Sequence, residues 1–311
     1  MTAAGPQWPA LTMAAVPFAL GALSARLSRR AGARLAPAAA TVLLTALALT
    51  VALSTGLLLC LAAVIALAEA PGLSGLDHWS PSALRAGVPV PPAVAAAGGL
   101  AAALLLASAG LHLVRVVREA RRASAVAAAL PELGGALSVI EDDAAIAYTI
   151  PGRHRRIVVS TGMLKLLPAA QRRALLAHEG SHLRHRHHRY VQLGRLAAAA
   201  NPFVRPVSRA IDLAVERWAD ESAAAEVGDR RTVARALAAA ALASAAPRPA
   251  PLGGSLGGAR GDIGRRVDSL LRPPARHRLA WAVVAVGIVV CWTSTFAAIE
   301  HIHALMELAE G

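Results

Sequence analysis

The chain reads as a mainly α membrane protein with four transmembrane helices and a polar α+β domain inserted between the third and fourth. Three observations predict this class. Of 311 residues, 56% are hydrophobic and 16% charged, with a mean hydropathy of +0.50, too apolar for an ordinary soluble domain. Several uncharged runs reach or exceed the ~20 residues that a helix needs to cross a bilayer. The arginines, finally, collect at the ends of these runs in an alternating way that a single orientation explains.

The first span is expected at about 10–25, containing Pro17. Its basic residues, Arg26, Arg29, Arg30 and Arg34, follow the apolar stretch instead of preceding it, so the segment reads as a retained span and not as a signal peptide. Leu35 to Ala68 carries no charge and supplies the second span, at about 40–68. Ala70 to Pro92, rich in proline and glycine, reads as an interfacial loop. The third span covers 93–114, and Arg115, Arg118, Arg121 and Arg122 follow on the same helix continuing into water. Arg272, Arg276 and Arg278 precede a fourth span at 279–299, and 300–311 forms an extracytoplasmic tail. Residues 1–114 are thus a membrane domain, and 115–278 a cytoplasmic domain with a mobile linker at 247–261. The net charge of +13 sits mainly beside spans, where it sets topology and meets anionic lipid, so no nucleic-acid partner is expected. Cys60 and Cys291 lie within apolar runs and suggest neither a disulfide nor a thiolate metal site.

Within the polar block, Leu137 to Ile140, Ala145 to Ile150 and Ile157 to Ser160 are short β-branched or alternating runs, separated by turn signals at Glu141-Asp142-Asp143 and Pro151-Gly152-Arg153. They predict a small sheet. A helix from Ala169 to Tyr190 then carries His178-Glu179-Gly180-Ser181-His182. Residues four apart on a helix lie above one another, so both histidines can face one metal ion with Glu179 beside it. This is the H-E-x-x-H pattern, in which two histidines bind Zn²⁺ and the glutamate serves as general base. A catalytic zinc takes a third protein ligand, and the helix expected from Val207 to Val227 offers Glu216 for it. Asp220, one turn on, is placed to accept the remaining N–H of a ligating histidine. One zinc per chain is expected. His185, His187 and His188, set among arginines, read as a solvated face and not as a second metal site. The oxyanion partner is open among His185, His187, His188, Tyr190 and Arg217.

Four stretches together carry a resemblance: Ile157-Val158-Val159-Ser160-Thr161-Gly162-Met163-Leu164, the motif from His178 to His182, Glu216-x-x-x-Asp220, and Arg266-Val267-Asp268-Ser269-Leu270-Leu271 before the last span. The sequence resembles the membrane zinc metallopeptidases of the BlaR/MecR type and, more distantly, the HtpX and CAAX prenyl protease families. The resemblance implies a zincin-like fold for the inserted domain and zinc on His178, His182 and Glu216, with Glu179 as the catalytic base. It further implies hydrolysis of a cytoplasmic or membrane-proximal protein or peptide, with membrane lipid around the spans and a cytoplasmic transcriptional repressor as a partner. No counterpart of an extracellular penicillin-binding domain follows the fourth span, so β-lactam sensing is not expected. An extended substrate is expected to pair with an edge of the small sheet, along Ala145 to Thr149 or along Ile157 to Ser160. A second reading from another class is a non-catalytic membrane receptor or scaffold with a structural metal, which a fourth protein ligand would distinguish.

Overall fold

The computed structural model describes residues 8–68, 91–131, 135–243, 260–272 and 278–310. The expected interfacial loop from Ala70 and the linker at 247–261 fall almost wholly outside these residues. The architecture is mostly helical. Helices α1 (Trp8–Arg34), α2 (Pro37–Ala68) and α3 (Pro92–Ala129) come first. A three-stranded sheet follows, made of β1 (Leu137–Ile140), β2 (Ala147–Ile150) and β3 (Arg156–Ser160). After the sheet come α4 (Thr161–Leu166), α5 (Ala169–Arg184), α6 (His187–Ala200), a 3₁₀ turn (Pro202–Val204) and α7 (Arg205–Val227). The chain then forms α8 (Arg230–Ala243), α9 (Arg260–Leu271) and α10 (Arg278–Glu310).

Among the described residues, three helices are long and apolar enough to cross a membrane: Pro37–Leu67, Pro92–Ala129 and Ala280–His301. This fits a membrane protein. Their packing uses small side chains, as expected where lipid gives no hydrophobic drive for helix association. A Cβ on Gly98 of α3 would lie 3.0 Å from the Ala62 Cβ of α2, and one on Gly99 would lie 3.2 Å from the Ala63 backbone. The two helices therefore approach closely at that end. Helix α3 continues unbroken past Arg115 to Ala129, and α10 extends to Glu310, so the segment expected as a tail is helical to that point.

The apolar core does not stop where the spans do. Leu44, Leu47 and Val51 of α2 join Val191 and Ala197 of α6 and Val207, Ile211 and Val215 of α7 in one buried cluster. The hairpin α6–α7 is thereby seated on α2, which fixes the helix that carries Glu216.

The sheet has the order β1-β3-β2, with β1 parallel and β2 antiparallel to β3. Val158 and Val159 at its centre are fully buried. This corrects one expectation: Ile157 to Ser160 is hydrogen-bonded on both sides and offers no free edge, which leaves β2 as the edge that touches α5. The stretch after β3 is held by a tight staple. The Ser160 Oγ accepts from Met163 N–H at 3.0 Å and from Ile146 N–H at 3.0 Å, and donates to the Ala144 carbonyl. Gly162 lies so close to this loop that a Cβ there would sit 2.1 Å from the Asp143 carbonyl oxygen, so no other residue fits without moving the loop. Asp142, expected as a turn residue, closes the same loop: its carbonyl accepts from Gly162 N–H and its Oδ1 from Ala144 N–H, each at 2.8 Å.

A second expectation is also corrected. The helix beginning at Ala169 does not run to Tyr190: it ends at Arg184, and Arg186 takes a left-handed conformation with φ 53° before α6 starts. The run from Arg184 to Arg189 is wholly polar and has no apolar stripe to hold a straight helix on a core. The break turns one member of the run, His187, fully inward.

Candidate metal centre

Helix α5 sets two imidazoles one turn apart, and their Nε2 atoms lie 3.1 Å from each other in His178 and His182. Across them, α7 presents Glu216 and Asp220, also one turn apart, with relative exposures of 6% and 2%. The Nε2 of His178 is 3.6 Å from Glu216 Oε2, and that of His182 is 3.7 Å from Glu216 Oε1. Three ligand atoms at the corners of a tetrahedron with metal bonds of about 2.0–2.1 Å are about 3.3 Å apart. The two edges that meet at the His182 Nε2, 3.1 Å to His178 and 3.7 Å to Glu216 Oε1, bracket that value, while the 3.6 Å contact from His178 is to the other carboxylate oxygen. Among the described residues, His178, His182 and Glu216 are the group whose donor atoms all lie within 4.8 Å of one another.

The surrounding contacts leave these donors available. The Nδ1 of His178 lies 3.0 Å from Asp220 Oδ1, so Nδ1 keeps its proton and Nε2, which faces His182 and Glu216, is the nitrogen that would bind a cation once a cation displaces its own proton. The Arg266 Nη1 takes up Glu216 Oε2 at 2.8 Å, whereas Glu216 Oε1 is buried without a hydrogen-bond partner. A buried carboxylate oxygen with no donor, beside two imidazole nitrogens, is what a cation ligand looks like before its cation is counted. Borderline-soft Zn²⁺ suits this nitrogen and oxygen set.

Two carboxylates this deeply buried would repel each other without compensation. Arg266, brought in by α9, supplies it: its Nε and Nη2 each donate to Asp220 at 2.8 Å while Nη1 reaches Glu216. The forked guanidinium thus spans both acids at once. Burial alone would raise Glu216, but the Arg266 charge and the hydrogen bond with His178 bring it down to about 2. Asp220 is likewise held well below the carboxylate range, against burial, by its bonds to Arg266 and His178. Burial pulls His178 down, yet its bonds to Asp220 and Glu216 prevail and raise it to about 10. His182 has no such carboxylate on Nδ1, and burial lowers it to about 4. Glu179, next to His178, is pushed up by burial to about 7, with the His178 charge opposing and the Glu216 charge adding to the rise. A carboxylate near neutrality is suited to accept and then give up a proton at physiological pH.

Two residues at the site escaped the sequence reading. Arg266 figured only within the stretch that carries the resemblance; nothing in its spacing relates it to Glu216, 50 residues earlier in the chain. His187 was grouped with a solvated face, whereas it is fully buried with Nδ1 3.1 Å from His182 Nδ1 and Nε2 without a hydrogen-bond partner. Its burial lowers it to about 3, so it is a neutral ring behind the second motif histidine. The other oxyanion candidates divide. Arg217 is turned away, with Nε donating to Ser269 Oγ at 3.0 Å and Nη1 donating to the Gly32 carbonyl of α1. His185 stacks on Trp218, their ring centroids 4.7 Å apart.

Gly180, within the motif, is under no spatial constraint: a Cβ there would meet the Arg184 guanidinium at 3.8 Å and Ile157 at 4.0 Å, both ordinary contacts.

A search of curated proteins and one of solved structures found no match. Residues 112–194, from the latter part of α3 through the sheet and the motif helix into α6, match the model of peptidase family M48, a likeness that supports a metallopeptidase in the broad sense and stops short of Glu216.

Proposed function

We propose that the protein is an integral membrane zinc endopeptidase of the BlaR/MecR type, in which His178, His182 and Glu216 hold the metal and Glu179 is the general base. One observation carries the reading. Two imidazole Nε2 atoms 3.1 Å apart lie inside the M48 match, and a Glu216 carboxylate with one buried oxygen lacking a hydrogen-bond partner stands with them, the three groups' ligand atoms within 4.8 Å of one another. When bound, zinc supplies Lewis acidity toward a water molecule and a substrate carbonyl. The chain's own groups do the rest. Asp220 fixes the tautomer and orientation of the His178 ring, and Arg266 keeps Glu216 and Asp220 ionised. Glu179 accepts a proton from the attacking water and delivers it to the leaving amine, a transfer suited to a carboxylate whose pKa is raised to about 7. The edge of β2, from Ala147 to Ile150, is available to align an extended peptide by main-chain hydrogen bonds.

Four spans, with α1 as the first, place the inserted residues 115–278 in the cytoplasm, where arginines flank the spans. The substrate is a cytoplasmic or membrane-proximal protein, and the resemblance extends to a transcriptional repressor in that role. The scaffold reading gains nothing from the geometry, since His187, the best-placed candidate for a fourth ligand, directs its Nδ1 at the His182 ring.

The test is metal content and proteolysis measured on the same preparations. Wild type should hold about one zinc per chain and His178→Ala much less; Glu179→Gln should keep its zinc and lose cleavage. Cleavage by Glu179→Gln at the wild-type rate would remove the base assignment, and a zinc-free wild type would remove the metal site.

A further inference from the structure

Between α6 and α7 the chain breaks at Asn201, Pro202, Phe203 and Val204. Such an irregular turn normally sits on a protein surface in water. Here it does not. The Asn201 side chain donates from Nδ2 to Thr55 Oγ1 at 2.8 Å, and Thr55 belongs to α2, the most apolar of the three span-length helices among the described residues. Thr55 lies 12 residues from the Leu67 end of that apolar segment and 18 from the Pro37 end. At 1.5 Å per residue these are about 18 and 27 Å. Both are shorter than the ~30 Å thickness of a bilayer's hydrocarbon core. Whichever end of the helix is aligned with an edge of the core, Thr55 falls inside it, and the turn comes with it. A second contact agrees: the Ser24 Oγ of α1 lies 3.1 Å from the Phe203 carbonyl as a donor, and Phe203 and Val51 both lie against Gly21.

An irregular turn at that depth is tolerable only if its backbone polar groups find partners in the protein. This one meets the condition. Asn201 N–H bonds the Ala197 carbonyl at 2.8 Å, Val204 N–H bonds the Asn201 carbonyl at 3.1 Å, and Arg205 N–H bonds the Pro202 carbonyl. Asn201 Oδ1 accepts from Phe203 N–H at 3.0 Å, and Pro202 has no N–H to satisfy. Asn201 and Thr55 are both nearly inaccessible, at 3%. By contrast, Phe203 is 60% exposed, and Leu23 of α1 and Leu53 and Leu57 of α2, the helices this turn contacts, are each more than 40% exposed. Polar groups point inward and apolar ones outward, the inverse of a turn built for water. Farther along the hairpin the first facing charges on its two arms, Arg195 and Asp212, stand as a pair at 3.8 Å. Arg205 and Arg209, exposed on α7, have stems long enough to carry their charges toward headgroup phosphates.

We infer that the α6–α7 hairpin is re-entrant: its tip, Asn201 to Val204, lies within the bilayer hydrocarbon with Pro202 and Phe203 against lipid acyl chains. The metal centre is thereby held at the membrane surface. Glu216 is 11 residues beyond Arg205, no more than about 16 Å along α7, so the centre cannot stand far from the bilayer. The peptide bonds within its reach are those adjoining a membrane.

This inference rests on the membrane reading above and not on the metal. Wild-type protein in vesicles whose phospholipid carries a diazirine near the middle of one acyl chain is photolysed, digested with trypsin and mapped by mass spectrometry. Trypsin does not cut Arg205–Pro206, so the tip is recovered in peptide 196–209. Adducts on that peptide at Pro202 or Phe203, at yields comparable with those on Leu53 and Leu57, are expected. Adducts on α2, α3 and α10 with none on 196–209 would overturn the re-entrant tip alone. Adducts nowhere would overturn the membrane reading and this inference with it. A spin label on Phe203→Cys, in a Cys60→Ser, Cys291→Ser background, gives a second measure. It should be more accessible to oxygen than to a water-soluble nickel chelate, the reverse of a label on Lys165→Cys; equal ratios at the two positions would overturn the inference.

Discussion

The two ends of the α6–α7 hairpin bury polar groups by opposite means. At the open end, Glu216, Asp220 and Arg266 form a charged cluster around two imidazoles, every member less than a tenth exposed apart from the somewhat more open His178. At the closed end Asn201, Thr55 and Ser24 are neutral, and each uses its hydrogen-bonding capacity on a near neighbour. The difference teaches what each end is for. On the proposed function, ionised groups are kept where a cation and a reacting water would be handled, and their desolvation is offset only by close charge pairing. Neutral amide and hydroxyl groups suffice where the sole requirement is to close a backbone turn away from water.

The sharpest way to break this contrast is to remove the charge that offsets the others. Arg266→Met leaves Glu216 and Asp220 buried together without a cation, and should destabilise the fold by about 3–5 kcal/mol. Thermal or denaturant melts of the metal-free protein would read it, and added zinc should recover part of the loss. A melt unchanged from wild type would mean that the two acids do not depend on Arg266.

The two motif histidines divide the same way on a smaller scale. His178 is held by a carboxylate and His182 by a neutral ring, His187. Replacing that ring with one that lacks nitrogen, His187→Phe, keeps the volume beside Trp218 and removes the acceptor that fixes the His182 tautomer. Zinc affinity should fall about 10- to 100-fold, as measured by competition with a chromogenic chelator, and His187→Asp should restore most of it. Equal losses in both variants would point to packing instead of tautomer control.

At the neutral end the expected effect is smaller. Asn201→Ala removes the donor to the Thr55 hydroxyl, which keeps its own bond to the Val51 carbonyl, and the acceptor of the Phe203 N–H, at a cost of about 1–2 kcal/mol, and Thr55→Val in the same background should add little. Additive losses from the two substitutions would argue that the groups are not partners. The smallest change runs the other way. Gly180→Ala replaces a poor helix former where a methyl group has room, so α5 should gain up to about 1 kcal/mol with zinc binding intact. A loss of stability would reveal a contact at Gly180 that its open surroundings do not suggest.

Much of this was legible before any coordinates. The period of 3.6 residues places His178 above His182 and Glu216 above Asp220 on any helix, and the wish of a ligating histidine for a carboxylate singles out Asp220. The short β-branched runs mark out the three strands because turn residues bound them on both sides. The helix break at Arg186 was not legible, since a run of arginines and histidines has no periodicity from which to read either a helix or its end. Nor was the central position of β3, because strand order depends on which pairings bury Val158 and Val159, and both neighbours on the sheet are equally short.

What the sequence by itself determined is local and periodic: which residues share a helix face, that α2, α3 and α10 are long and apolar enough to cross a bilayer, and which side chains could bind a metal. Only the tertiary structure decided that a guanidinium 50 residues away lies between Glu216 and Asp220, that one histidine of a polar run turns inward, and that Asn201 meets Thr55. Those contacts join residues far apart in the chain, and their energies depend on desolvation, which arises only when separate elements close over the same polar group.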